Sequence, residues 1–302
     1  MHLATARPTP EPGSLRLAAL LSAAAGAVTA GLWLAGWLPG VERVSSDLLL
    51  RATVGGSGGA APVAAVLIDD RAVARLGPLP WPRARLAELV DAVADAGAAG
   101  IAVDVLLAGA TTPEDDRRLA AALARRPAVL AAALDRDGAW LLPPPALAGI
   151  AAIAHAYGEV GPDGVVRTIA ATKQARGLAL PALALAAARL LEPRLAVVPG
   201  ALLRPAFRPA PQALPTLGAA DVLAGARAAD ALRGRLVFVG VSATGAGDQF
   251  VVPTGPRRAP VSGVLAHASA AASILGGRLL RVPHPSWTAA ACLALAFGVQ
   301  LL

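Results

Sequence analysis

The stretch from Val63 to Asp104 limits the fold more than any other part of the chain. Val63–Ile68 (VAAVLI) is an apolar run with no polar gap, the pattern of a strand buried on both faces. It ends in two carboxylates, Asp69 and Asp70. Over Ala84–Ala96, Leu86, Leu89, Val90 and Val93 recur at helical spacing, with Glu88, Asp91 and Asp95 on the other side. Gly97 and Gly100 stop this helix, and Ile101–Val103 opens a second apolar run that also ends in a carboxylate, Asp104. Strand, helix and strand of these lengths predict a right-handed βαβ unit with parallel strands. A stiff loop, Gly77-Pro78-Leu79-Pro80-Trp81-Pro82-Arg83, leads into the helix. Ligands of open α/β sheets sit beyond the carboxyl ends of the strands. Asp69, Asp70, Trp81, Arg83 and Asp104 are therefore expected at that edge.

The flanking sequence is of another kind. The first 14 residues are polar and Pro-rich and are expected to be disordered. Leu17–Leu38 then carries no charge over about the 20 residues a bilayer-spanning helix needs. Arg7 and Arg16 precede it, and Trp33 and Trp37 lie near its far end. The positive-inside rule places the N-terminus in the cytoplasm and the main domain outside. The competing reading is a cleaved signal peptide, but the run is long for one and lacks a clear cleavage site. Leu38–Ala52 reads as an amphipathic connector, and Gly55–Gly59 as a flexible linker. The last apolar stretch, 286–302, reads as the start of a second membrane helix, truncated by the chain end. The expected domains are thus a tail over 1–14, a membrane helix over 15–38 and an extracytoplasmic domain over 42–283.

Between these flanks, Thr112-Pro113-Glu114-Asp115 starts a helix that runs to about Arg125: Thr caps, Pro opens and acids fill the first turn. Ala128–Leu134 is a third strand, and Tyr157–Ala171 a β-hairpin turning on Asp163-Gly164. Leu180–Leu191 is an apolar helix and Leu203–Pro215 an irregular Pro-rich segment. Ala220–Leu232 is a helix, Leu236–Val239 a strand broken by Gly240, Ser242–Ser262 a long loop with Asp248, and Val264–Leu275 a helix with His267. The net charge of +7 does not make this a nucleic-acid binder, because the arginines are scattered and no aromatic platform interleaves them. A single cysteine, Cys292, excludes an internal disulfide and a cysteine metal cluster.

Four segments in this order resemble the type-2 CHASE domain, the extracellular sensor of bacterial adenylate cyclases, histidine kinases and Ser/Thr kinases. They are Val66–Asp70 with Leu76-Gly77 and Trp81-Pro82-Arg83; AGIAVDVL at Ala99–Leu106 with Asp115 and Asp116; Tyr157-Gly158 with Asp163-Gly164-Val165-Val166-Arg167; and LRGRLVFVGV at Leu232–Val241 with Asp248, Pro253 and GVLAHA at Gly263–Ala268. The likeness covers residues 42–283. Arg235 stands where the family has Lys, and Ser262-Gly263 where it has Pro-Gly. The resemblance implies an α/β fold, a mostly parallel sheet with flanking helices and an added β-hairpin, here between one membrane helix and a truncated second. It also implies signalling to an output domain, kinase or cyclase, that these 302 residues do not include.

Each candidate residue has a plainer explanation beside the functional one. Asp69 and Asp104, expected on adjacent strands, could hold a cation or share a proton, or could simply cap loops and helix ends. Arg83 at a helix N-terminus opposes the helix dipole, which favours an internal carboxylate partner, Asp69 or Asp104, at least as much as binding of an anion. Trp81 suits a loop anchor and His267 a hydrogen-bonded structural residue, against ligand contact or pH sensing. Gly240-Val241-Ser242-Ala243-Thr244 misses the G-x-S-x-G nucleophile pattern at its last position, and Pro253 and Pro256 break any dinucleotide helix after Gly240, Gly245 and Gly247. The expected protein is a membrane-anchored, non-enzymatic sensor in the cell membrane with its main domain periplasmic or extracellular. It binds an unidentified small molecule or ion through Asp69, Asp70, Trp81, Arg83, Asp104, Asp248 and His267, with cofactor and metal undetermined and homodimerisation open. A ligand-free interaction module and a secreted α/β hydrolase-like enzyme are the alternatives.

Overall fold

Runs with no polar gap become the middle layer of a three-layer stack, because only there are both faces of a strand covered. The structure is a computed structural model that describes residues 12–34, 39–53, 62–198, 200–225, 228–255 and 259–281. Its elements, in chain order, begin with α1 (Pro12–Leu34), α2 (Pro39–Ala52), β1 (Val63–Ile68), α3 (Asp70–Leu76), α4 (Arg83–Asp95), β2 (Gly100–Asp104) and α5 (Pro113–Leu123). Next come β3 (Ala128–Leu134), β4 (Trp140–Leu141), α6 (Pro145–Ala148), β5 (Ala152–His155), β6 (Glu159–Val160), β7 (Val166–Ala170), β8 (Thr172–Ala175) and β9 (Leu178–Pro181). The chain continues through α7 (Leu183–Leu191), β10 (Leu202–Leu203), β11 (Thr216–Gly218), α8 (Ala219–Leu223) and α9 (Ala228–Leu232). It closes with β12 (Leu236–Val241), β13 (Gln249–Phe250), β14 (Val261–Ser262) and α10 (Gly263–Leu275).

The chain divides into two compact units, one drawn from 1–49 and 281–302, the other spanning 50–280. In the first, the expected apolar helix forms as α1 and leaves Leu20, Leu21 and Val28 exposed. Among the described residues no helix is long and apolar enough to cross a membrane. Residues 35–38 of the expected first span, all of the expected second span over 286–302, the tail up to residue 11 and the glycine linker at 55–59 lie outside the described residues.

The second unit is built on a sheet ordered β11-β1-β12-β2-β3, with β5 continuing along β3 and β4 added antiparallel at the end of β3. Every other pairing in this sheet is parallel. Alternate residues serve opposite faces. Val63 and Ala65 enter one core with α7 and α10, while Ala64, Val66 and Ile68 enter the other with α4, α5 and α8. The βαβ reading of β1, α4 and β2 holds in direction, but β12 lies between the two strands. Asp69 and Asp104 therefore do not end adjacent strands. Two strand spacings, about 10 Å in all, separate their lines.

Gly240 does not break β12. It pairs with Leu67 on one side and Asp104 on the other. A Cβ there would meet the Val264 Cβ at 2.7 Å and the Asp104 carbonyl oxygen at 3.1 Å. The glycine lets α10 lie directly on the sheet. Two expected helices also differ. Leu178–Pro181 forms a strand with β8 before α7 begins, and the segment expected as one helix over Ala220–Leu232 divides into α8 and α9. The hairpin forms as β6 and β7, with Gly164 at a φ of 77° in its turn. The loop Ser242–Ser262 contains a small antiparallel pair, β13 with β14.

Candidate functional site

Because the long strands run parallel, their carboxyl ends meet at one edge, and the loops leaving that edge enclose a groove. One part is a cavity of about 450 Å³. Asp104, at the end of β2, Tyr157, just after β5, Asp248, in the loop after β12, and His267, on α10, all line it. The neighbouring part, about 610 Å³, is walled by Leu79, Pro80, Trp81 and Leu107. Val105, Leu106, Val241 and Gly247 line both parts.

Burial within the cavity, reinforced by the charge of Asp248, pushes the Asp104 carboxyl up to about 7. His267 is only 3% exposed. Burial lowers it to about 4, although the Ala156 carbonyl and the Asp248 charge act in the opposite sense. It is a neutral imidazole at physiological pH. Phe250 meets its ring edge to face at 5.6 Å between centroids. The Asp248 carbonyl accepts a 2.7 Å hydrogen bond from the Gly263 amide, so the loop is tied to the first turn of α10. Gly247, at a φ of 81°, gives the turn that presents Asp248.

The other expected site residues are used internally. Asp69 is the N-cap of α3, its Oδ1 accepting from the Ala72 amide at 2.8 Å. Asp70 accepts from both the amide and the hydroxyl of Thr244, at 2.8 and 2.9 Å, and so fastens the loop after β12. Trp81 is buried, and its Nε1–H donates to the Gly77 carbonyl at 2.9 Å. Arg83 is buried and does have an internal carboxylate partner, but it is Asp116 of α5, neither Asp69 nor Asp104. The guanidinium also donates to the carbonyls of Leu107, at 2.9 Å, and Gly109. It pins the loop after β2 that walls the groove. The seven expected residues thus separate: Asp104, Asp248 and His267 meet in one cavity, Trp81 and Arg83 wall the next, and Asp69 and Asp70 cap and tie.

Asp116 escaped notice as a site residue because it also reads as an ordinary first-turn acid of α5. Burial raises its carboxyl, but hydrogen bonds from Thr111 and Arg83 outweigh this and hold it below the usual range. Tyr157 was legible only as part of a motif. Its hydroxyl accepts from the Leu134 amide at 2.6 Å, which fixes the ring on the cavity wall. His155 gave no signal beyond its residue type. It is fully buried, its Nδ1 accepts from the Tyr157 amide at 3.3 Å, and its Nε2–H therefore faces the Ala170 carbonyl at 3.0 Å. Burial takes its pKa down to about 4. Among the described residues no group of three or more His, Cys, Asp or Glu side chains could hold a metal ion.

Compared with known proteins, the chain matches the family model of the CHASE2 domain over residues 23–302. No curated protein and no solved structure matches it.

Proposed function

The chain belongs to the CHASE2 domain family, and from that premise we propose that its second unit senses a small molecule held in the groove at the carboxyl edge of the sheet. The observation that carries this reading is the cavity where Asp104, Asp248 and His267 converge from three separate elements. Asp69, Asp70 and Arg83 each have hydrogen-bond partners within the fold. Asp104 instead remains in a cleft with its carboxyl raised, the mark of a group kept for a ligand.

The protein acts in this reading as a receptor without catalysis of its own, anchored in the cell membrane with the sensing unit outside. The uncharged segment after Arg16 and the exposed leucines and valine of α1 support the anchor. Ligand seated against His267 and Asp248 would bear on α10 directly, and α10 is the last helix before residue 281. That helix is the route by which occupancy would reach an output domain.

Thermal denaturation of the full chain against a small-molecule library tests the reading. A ligand that binds only the native state stabilises it by about 2.7 kcal/mol at a hundred times its Kd. The control is Leu106→Trp, which fills the groove from a side chain that is 49% exposed and lines both parts of it. Hits that vanish in Leu106→Trp support the groove as the sensing site. If every hit survives that substitution, or none appears, the reading fails.

A further inference from the structure

The lining of the groove says what kind of molecule it takes, provided the groove is the sensing site as proposed above. Two carboxylates from different elements, Asp104 and Asp248, face the smaller cavity, and among the described residues no Lys or Arg lines it. Lys173 sits over the ring of Tyr157, which lines the cavity, at 5.1 Å and is paired with Glu159 at 3.4 Å. His267 adds an independent observation. It is 97% buried on the cavity wall, with the Ala156 carbonyl near its ring, and no other hydrogen-bond partner among the described residues. A neutral imidazole so placed has a ring nitrogen to offer a ligand N–H and does not repel positive charge. The adjoining part of the groove is apolar. Among the described residues its one cation is Arg83, which is already paired with Asp116 and donates to two carbonyls.

We propose that the groove binds an organic cation with an apolar body: an ammonium group between Asp104, Asp248 and His267, and hydrocarbon along Trp81 and Leu107. An anionic ligand would meet two carboxylates with no compensating charge. A neutral one would leave the half-buried Asp104 carboxylate without a charged partner. The cation meets both requirements, and it competes with the proton that Asp104 otherwise takes up. The groups facing Asp104 across the cavity are Asp248, Tyr157 and His267, and of these His267 stays neutral above about pH 4. Binding should therefore weaken as pH falls through the range where Asp104 is neutralised.

The test is calorimetric titration of the full chain with hexylammonium, hexanol and hexanoate. At pH 8 hexylammonium should bind at least about tenfold more tightly than hexanol, and hexanoate should not bind. Moving to pH 6 should weaken hexylammonium by about tenfold and leave hexanol unchanged. Asp104→Asn should weaken hexylammonium by a similar factor and abolish its pH dependence. Asp248→Asn, at an exposed position that cannot upset the core, should weaken it as well. If hexanol or hexanoate equals hexylammonium, or neither substitution matters, the cation assignment is wrong. The groove remains the sensing site in that case if Leu106→Trp still blocks the preferred probe. If none of the three binds, the cation assignment is equally overturned, while the library screen decides the site itself.

Discussion

Removing Asp116 should unsettle the whole groove from a distance, because it leaves Arg83 a buried charge. The Arg83 side chain is 4% exposed and that of Asp116 8%. Breaking a buried pair by deleting one partner costs about 3–5 kcal/mol, since the survivor stays desolvated without compensation. Two carbonyls still accept from Arg83 after Asp116→Ala, which places the expected loss near the lower end, at about 3 kcal/mol. Arg83→Met should cost less, about 2 kcal/mol, because Asp116 keeps the Thr111 hydroxyl at 2.9 Å and its place in the first turn of α5. The two losses should not add, with a coupling of at least about 1 kcal/mol in the double variant. Urea denaturation of the four chains, followed by circular dichroism, gives all of these differences. Repeating it at 1 M salt should change little, because a buried pair is poorly screened. A loss below about 1 kcal/mol for Asp116→Ala, or a coupling that disappears in salt, would refute the reasoning.

Three further outcomes follow from the same geometry. Asp104→Asn should stabilise the chain at pH 8, on the order of 2 kcal/mol after allowing for the half-open cavity, because an ionised carboxylate no longer has to be desolvated there; a destabilised variant in thermal melts would contradict this. His155 and His267 are neutral in the fold well below their unfolded range, so stability should fall as pH drops from about 6.5 to about 4, by up to roughly 3 kcal/mol for each. Asp104 works the other way, recovering stability as pH falls from about 7 towards 4, so the histidine loss should be steeper in Asp104→Asn than in the parent; identical pH profiles would show that Asp104 is solvated. Gly240→Ala should cost about 1–3 kcal/mol by driving a methyl into Val264, and should weaken any groove ligand by lifting α10; an unchanged melting temperature would mean the helix is free to shift.

The sequence by itself determined the elements whose cause is local. Gapless apolar runs at 63–68 and 101–103 could only be strands covered on both faces, and Thr112-Pro113 with its acids could only open a helix. The same locality made Asp69 legible as a cap and the Asp163-Gly164 turn legible as a hairpin. Strand order, by contrast, depends on how distant segments close on one another, and no periodicity within β1 or β2 announces that β12 will enter between them. That insertion parted Asp69 from Asp104 and brought Asp104 beside Asp248. Arg83 illustrates the same division. Its need for a carboxylate was readable from a helix N-terminus, but the choice of Asp116 was settled by the packing of α4 against α5. The glycine at 240 looked like a breaker because a missing side chain has two causes, turning and crowding. Only the helix laid across it, with Val264 at 2.7 Å from where a methyl would be, decided for crowding.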